Sequence, residues 1–193
     1  MGTKNEARQL NGERYDYNAL CLATDTQLEE VFRLGVQPSM GGLVGWEFKG
    51  YNVLEPAEIL GIRKFKKGFY LEDPGRDPEL GISGYNVRIH PNTLGEPWID
   101  MTKKGEPIRH GWYDVYPVSL SEVDNKYPNG LLINYGLSPK NFLLDPSRLL
   151  RDYLVQVYAD EPDLLLGKAY GSVGPMRLPL NFFVLERHNE STI

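Results

Sequence analysis

The chain has 193 residues, 41% of them hydrophobic and 11% aromatic, enough for one packed domain and too apolar for a wholly disordered chain. Its net charge of -5 lacks the basic excess of a nucleic-acid binder, and the single Cys21 cannot form an internal disulfide. No apolar run approaches the roughly 18 residues of a spanning helix, and Met1 to Arg14 carries no signal-peptide pattern, so the expectation is a cytoplasmic protein with no membrane span.

In chain order, residues 1–18 are polar and read as a flexible segment. Thr26 with Glu29 fits a capping box, and Leu28, Val31 and Phe32 form the apolar stripe of a short helix that Gly35 and Pro38 end. A helix there is suited to plug or lid the end of a barrel. Val44, Trp46 and Phe48 then alternate with Gly45, Glu47 and Lys49, the pattern of a half-buried strand. Glu55 to Gly61 reads as a compact helical turn, with proline near its start and glycine at its end. The basic run Arg63-Lys64-Phe65-Lys66-Lys67 opens a strand in which Phe65, Lys67 and Phe69 share a face, and its charges read as a solvated strand surface.

Further strands follow between turn signals. Tyr85, Val87 and Ile89 alternate with Asn86, Arg88 and His90, and Trp98–Met101 and Gly111–Val118 flank a turn at Lys103 to Glu106. Leu131, Ile133 and Tyr135 make another strand, Asp145-Pro146 opens a single helical turn, and three strands close the chain at 153–158, 164–170 and 180–187. The sum is an all-β fold: an antiparallel barrel of about 8–10 strands over residues 19–188, with a short N-terminal helix and a tail at 189–193. Glycines inside strands (Gly45, Gly68, Gly167) favour the barrel over a sandwich, because a closing sheet must bend.

Gly41-Gly42 before Gly45-Trp46, with Gly50 after, resembles the glycine-tryptophan first strand of lipocalin-like (calycin) barrels. The spacing departs from the Gly-x-Trp-x-Gly pattern of the intracellular members: Gly45 directly precedes Trp46. The resemblance implies a lumen that holds one small, largely apolar molecule.

Candidate binding residues follow from that picture. Trp46, Phe48, Trp112 and Phe183 are the expected apolar lining, and Arg88, His90 or Tyr116 the groups that fix a polar head. His110, Trp112, Asp114 and Tyr116 recur at a spacing of two and are expected on one strand face, able to orient a ligand or perform acid–base work. His110 and Asp114 lie roughly 13 Å apart along a strand, too far for a hydrogen-bonded dyad. No metal spacing is present among His90, His110 and His188, and Ser39 lacks the strand–turn–helix setting of a nucleophile elbow. The first expectation is therefore binding of a small hydrophobic or amphipathic molecule, without nucleic acid. The alternatives are an isomerase, cyclase or lyase on the same barrel, or a β-rich interaction module with a filled core. Cofactor, oligomeric state and the inward face of each strand are left open by the sequence.

Overall fold

Side-chain caps set the N-terminal elements. The structure is a computed structural model describing residues 6–53 and 63–193. Asp16 caps α1 (Tyr17–Cys21), Thr24 caps α2 (Asp25–Leu34) and Ser39 caps α3 (Met40–Leu43). The capping box pairs Thr24 with Gln27 rather than Thr26 with Glu29, because Asp25 and Thr26 already lie inside the helix.

The strands are β1 (Trp46–Asn52), β2 (Lys64–Tyr70), β3 (Ile82–Arg88), β4 (Thr102–Lys103), β5 (Glu106–Pro107), β6 (Arg109–Pro117), β7 (Leu131–Asn134), β8 (Leu150–Tyr158), β9 (Glu161–Val173) and β10 (Met176–Glu190). Eight of them form a closed antiparallel barrel in the order β1-β10-β9-β8-β7-β6-β3-β2, and β4-β5 is a small hairpin inserted between β3 and β6. Neighbours in space are neighbours in sequence, an up-and-down barrel closed by β1 against β10. The expected turn at 55–61 lies outside the described residues. Among the described residues, no helix is long and apolar enough to cross a membrane.

Two apolar layers meet at the barrel wall. Inside, Phe48, Phe69, Tyr113, Val115, Leu165 and Leu185 pack together, and Met40 and Leu43 from α3 join them. Outside, Leu28, Val31 and Phe32 of α2 pack against Tyr153, Phe182 and Val184. The amphipathic helix thus covers the wall, and the four-residue α3 supplies the plug that the sequence had suggested for α2.

Three local expectations change for physical reasons. The segment up to residue 18 is tied down: Tyr15 and Tyr17 are buried, and Tyr158 Oη accepts from Tyr15 N at 2.7 Å while donating to Ala7 O at 3.0 Å. At the other end β10 continues to Glu190, and Ser191 N donates to Gly45 O at 2.8 Å, so residues 189–191 belong to the barrel edge rather than to a loose tail. Gly68 and Gly167, expected as bend points, leave room for rings: a Cβ would lie 2.3 Å from Tyr85 Cζ at Gly68 and 2.0 Å from Phe183 Cζ at Gly167.

The basic run is the largest correction. Lys64, Lys66 and Lys67 are all at most 5% exposed, against the solvated face expected. Lys64 donates to Asn92 Oδ1, Thr93 O and Glu96 O at 2.6–2.8 Å and sits 3.5 Å from the centre of the Trp98 ring. Lys66 pairs with Asp100 at 2.7 Å and Glu47 at 3.4 Å. The loop between β3 and β4 folds over the outer surface of β2 and supplies the partners that make this burial tolerable. Lys67 points the other way, into the barrel.

Candidate functional site

Among the described residues, side chains fill only part of the lumen. Beyond the plugged end lies a cavity of about 620 Å³, lined on its apolar side by Phe65, Met101, Leu150, Ala169, Leu180 and Phe183. Lys67, Asn86, Tyr135 and Asp152 form its polar floor, and Arg88, His110 and Ser147 also line it.

Each floor residue is placed by strand alternation. Phe65, Lys67 and Phe69 share the inner face of β2, and Lys67 pairs across to Asn86 on β3. Asp152 of β8 lies beside Ile133 on one side and Ala169 on the other. Lys67 Nζ donates to Asn86 Oδ1 at 3.0 Å and to Tyr135 Oη, and it lies 3.5 Å from Asp152 Oδ2. Tyr135 Oη in turn donates to Asp152 Oδ2 at 3.0 Å. The rings of Tyr113, Tyr135, Phe183 and Phe65 surround the ammonium at 4.7–5.6 Å from their centres.

Burial dominates the electrostatics. It lowers Lys67 to about 8, with the Asp152 carboxylate opposing the shift. Burial raises Asp152, and Lys67 and the Tyr135 hydroxyl counter only part of that rise. Tyr135 is held well above its ordinary range by the same desolvation and then by Asp152. Desolvation therefore pushes both partners towards their neutral forms, and their mutual attraction opposes it. Among the described residues, Asp152 Oδ1 and Ser147 Oγ are buried without a hydrogen-bond partner, and both residues line the cavity.

The expected site residues scatter across this geometry. Phe183 lines the cavity, with Arg88 exposed and His110 at the mouth. Phe48 faces inward but lies in the filled half, and Trp46 packs against that half with the Arg187 guanidinium over its ring. His90 is exposed and away from the cavity. Trp112, Asp114 and Tyr116 lie outside: Trp112 packs on Tyr70 and Tyr85, Asp114 accepts from Ser83, and Tyr116 accepts from Asn134.

One bulge explains why His110 parts from the other three. Gly84 pairs with Tyr113 and Asn86 with His110, so two steps on β3 face three on β6. The extra residue falls at Gly111, whose φ of +53° is left-handed and open to glycine without strain. The phase of β6 flips there. His110 shares the inner face with Asn86 and Arg88, while Trp112, Asp114 and Tyr116 are turned outward. The His110 imidazole is pushed down, first by its buried edge and then by Arg88 and Lys67, so it stays neutral near pH 7.

The floor pair was missed in the sequence. Its signal was a lysine flanked at two residues on either side by Phe65 and Phe69, an arrangement that places a charge on an otherwise apolar strand face. Among the described residues, no group of three histidine, cysteine, aspartate or glutamate side chains could hold a metal ion. No protein-family model matches the chain, and no curated protein matches it.

Proposed function

We propose that this barrel is a calycin-type binding protein that holds one small amphipathic molecule in the open half of its lumen. The apolar body lies against Phe65, Leu150, Leu180 and Phe183, and the polar end rests on Lys67, Tyr135 and Asp152. The observation that carries this reading is Asp152 Oδ1, buried and without a donor at the floor of a roomy cavity. A buried polar atom left unpaired costs about 1–3 kcal/mol. A ligand hydroxyl or amide supplies the donor, and its oxygen competes with Asp152 for the third N–H of the Lys67 ammonium, whose other two serve Asn86 and Tyr135. The head group is therefore one that both donates and accepts. An interaction module with a filled core is disfavoured by the size of the cavity.

The test is a thermal melt with a straight-chain alcohol such as decanol, beside the variant Ala169→Phe, which fills the lumen from β9. A ligand at a hundred times its Kd adds about 2.7 kcal/mol, which corresponds to roughly 5–10 °C for a chain of this size. The wild type should show this rise and Ala169→Phe should not. An equal rise in both proteins would place the alcohol elsewhere and sink the reading.

A further inference from the structure

From the floor geometry we infer that Lys67 is an amine nucleophile that captures aldehydes or ketones with an apolar chain, holding them reversibly as an imine. The inference rests on the binding reading above and names the substrate class for the same lumen. Three observations support it. Lys67 Nζ ends at the floor of a cavity that opens to the barrel mouth, so a carbonyl carbon can approach it along the apolar walls. Asp152 Oδ2 and Tyr135 Oη stand beside the nitrogen, a carboxyl and a hydroxyl placed to move protons on and off the reacting oxygen. Four aromatic rings surround the nitrogen and stabilise a cation there, whether it is an ammonium or an iminium.

The chemistry balances without an outside reagent. A proton passes from the Lys67 ammonium to the Asp152 carboxylate, giving a neutral amine and a carboxylic acid. The amine lone pair attacks the carbonyl carbon, forming the C–N bond while the C=O π pair moves to oxygen. The nitrogen gives up one proton and the oxygen gains one, so Asp152 ends this step still protonated. That proton then goes to the hydroxyl, the C–O bond breaks, and water leaves as the nitrogen lone pair closes the C=N bond. The product is a protonated imine on Lys67 facing the Asp152 carboxylate, and the net change is one carbonyl compound taken up for one water released. Charge at the floor is the same before and after, so the pair that stabilises the empty site also stabilises the loaded one. Desolvation helps the first step: with Lys67 near 8, the neutral amine at pH 7.5 is on the order of a hundredfold more abundant than on an ordinary surface lysine.

The test is reductive trapping. The wild-type protein is incubated with decanal and sodium cyanoborohydride at pH 7.5, and the modified lysines are mapped by mass spectrometry, with and without excess decanol. The expected result is one decyl group on Lys67, added about tenfold or more faster than on any other lysine, and suppressed by decanol. In Lys67→Arg only the slow surface labelling should remain; the decanol arm makes the same point in the wild type if that variant does not fold. Binding of decanol with no preferential adduct at Lys67 would overturn the inference and leave the binding reading standing. Failure of decanol to bind, together with absence of the Lys67 adduct, would overturn both.

Discussion

Replacing Lys67 by Met removes the ammonium while keeping nearly all of the apolar stem that packs among Phe65, Tyr113 and Phe183. What it leaves behind is Asp152, whose side chain is 4% exposed beside a lysine side chain 2% exposed, with 3.5 Å between the charged atoms. At an effective dielectric of about 20, that separation corresponds to about 5 kcal/mol of attraction. Breaking a buried pair from one side costs about 3–5 kcal/mol, and the same range is expected for Lys67→Met at pH 8. The loss has a definite pH dependence. Without Lys67 the folded-state pKa of Asp152 rises further above its unfolded value, so the folded variant holds a proton that the unfolded chain has released. Stability of the variant therefore falls as pH rises from the ordinary carboxylate range through the raised value. Its deficit relative to wild type should be smaller at pH 5 than at pH 8. Adding Asp152→Asn keeps an acceptor for the Tyr135 hydroxyl, removes the stranded charge, and should restore at least about half of the loss. Urea unfolding followed by tryptophan fluorescence at the two pH values measures all three proteins. A deficit under about 1 kcal/mol, equal at pH 5 and pH 8, would refute the claim that Asp152 is a buried, lysine-dependent carboxylate.

In the wild type, Lys67 falls from 10.5 to about 8 on folding, so the unfolded chain binds the extra proton between these values and stability climbs with pH there. Buried tyrosines, raised above their usual range, work the other way as the unfolded chain's tyrosines ionise towards pH 10, equally in both proteins, so the climb should appear in urea titrations as a stability difference between wild type and Lys67→Met that grows from pH 8 to 10. Gly111→Ala puts a Cβ at a left-handed φ of +53° and 3.0 Å from Asn86 Nδ2, and should cost about 1–2 kcal/mol while weakening decanol binding. Gly167→Ala drives a Cβ to 2.0 Å from the Phe183 ring and should cost about 1–3 kcal/mol, with Phe183 pushed into the cavity and the alcohol-induced melting rise reduced. Cys21 is buried and its thiol pushed up to about 12, chiefly by desolvation, so a disulfide reagent such as Ellman's should modify it only on unfolding; fast labelling of the native protein would mean that α1 is not seated as described.

The strands were legible because the barrel writes its two faces into the chain with a period of two. Phe65, Lys67 and Phe69 do share an inner face, and Phe48 and Phe183 do point inward. Three kinds of information were not local enough to read. The partners of Lys64 and Lys66 lie in residues 92–100, so nothing in the basic run itself distinguishes a covered surface from a wet one. The bulge at Gly111 reverses the phase of a strand, and a period-two pattern read across it assigned Trp112, Asp114 and Tyr116 to the face of His110. The Lys67–Asp152 pair joins residues on β2 and β8, four strands apart round one side of the barrel, and alternation alone gives no hint that they meet.

The position of that pair within the lumen argues for function rather than stability. The plugged half shows what this sequence does when it needs only a core: Phe48, Phe69, Leu165 and Leu185 interdigitate with Met40 and Leu43. The open half departs from that pattern at several inward positions together. Gly111 and Ala169 leave space, Ser147 and Asp152 present unpartnered oxygens, and Lys67 brings a charge where a leucine or methionine would fit. Replacing a buried ion pair by apolar residues is commonly neutral or stabilising by about 1–4 kcal/mol. A barrel shaped for stability alone would therefore continue its packing upward and lose both the cavity and the pair. Small residues that keep a space open, next to polar groups that are costly to bury, are what a site for a head group with an apolar tail requires. The same floor, with a carboxyl and a hydroxyl beside the nitrogen and a ring of aromatic faces, is also what an amine needs to meet a carbonyl.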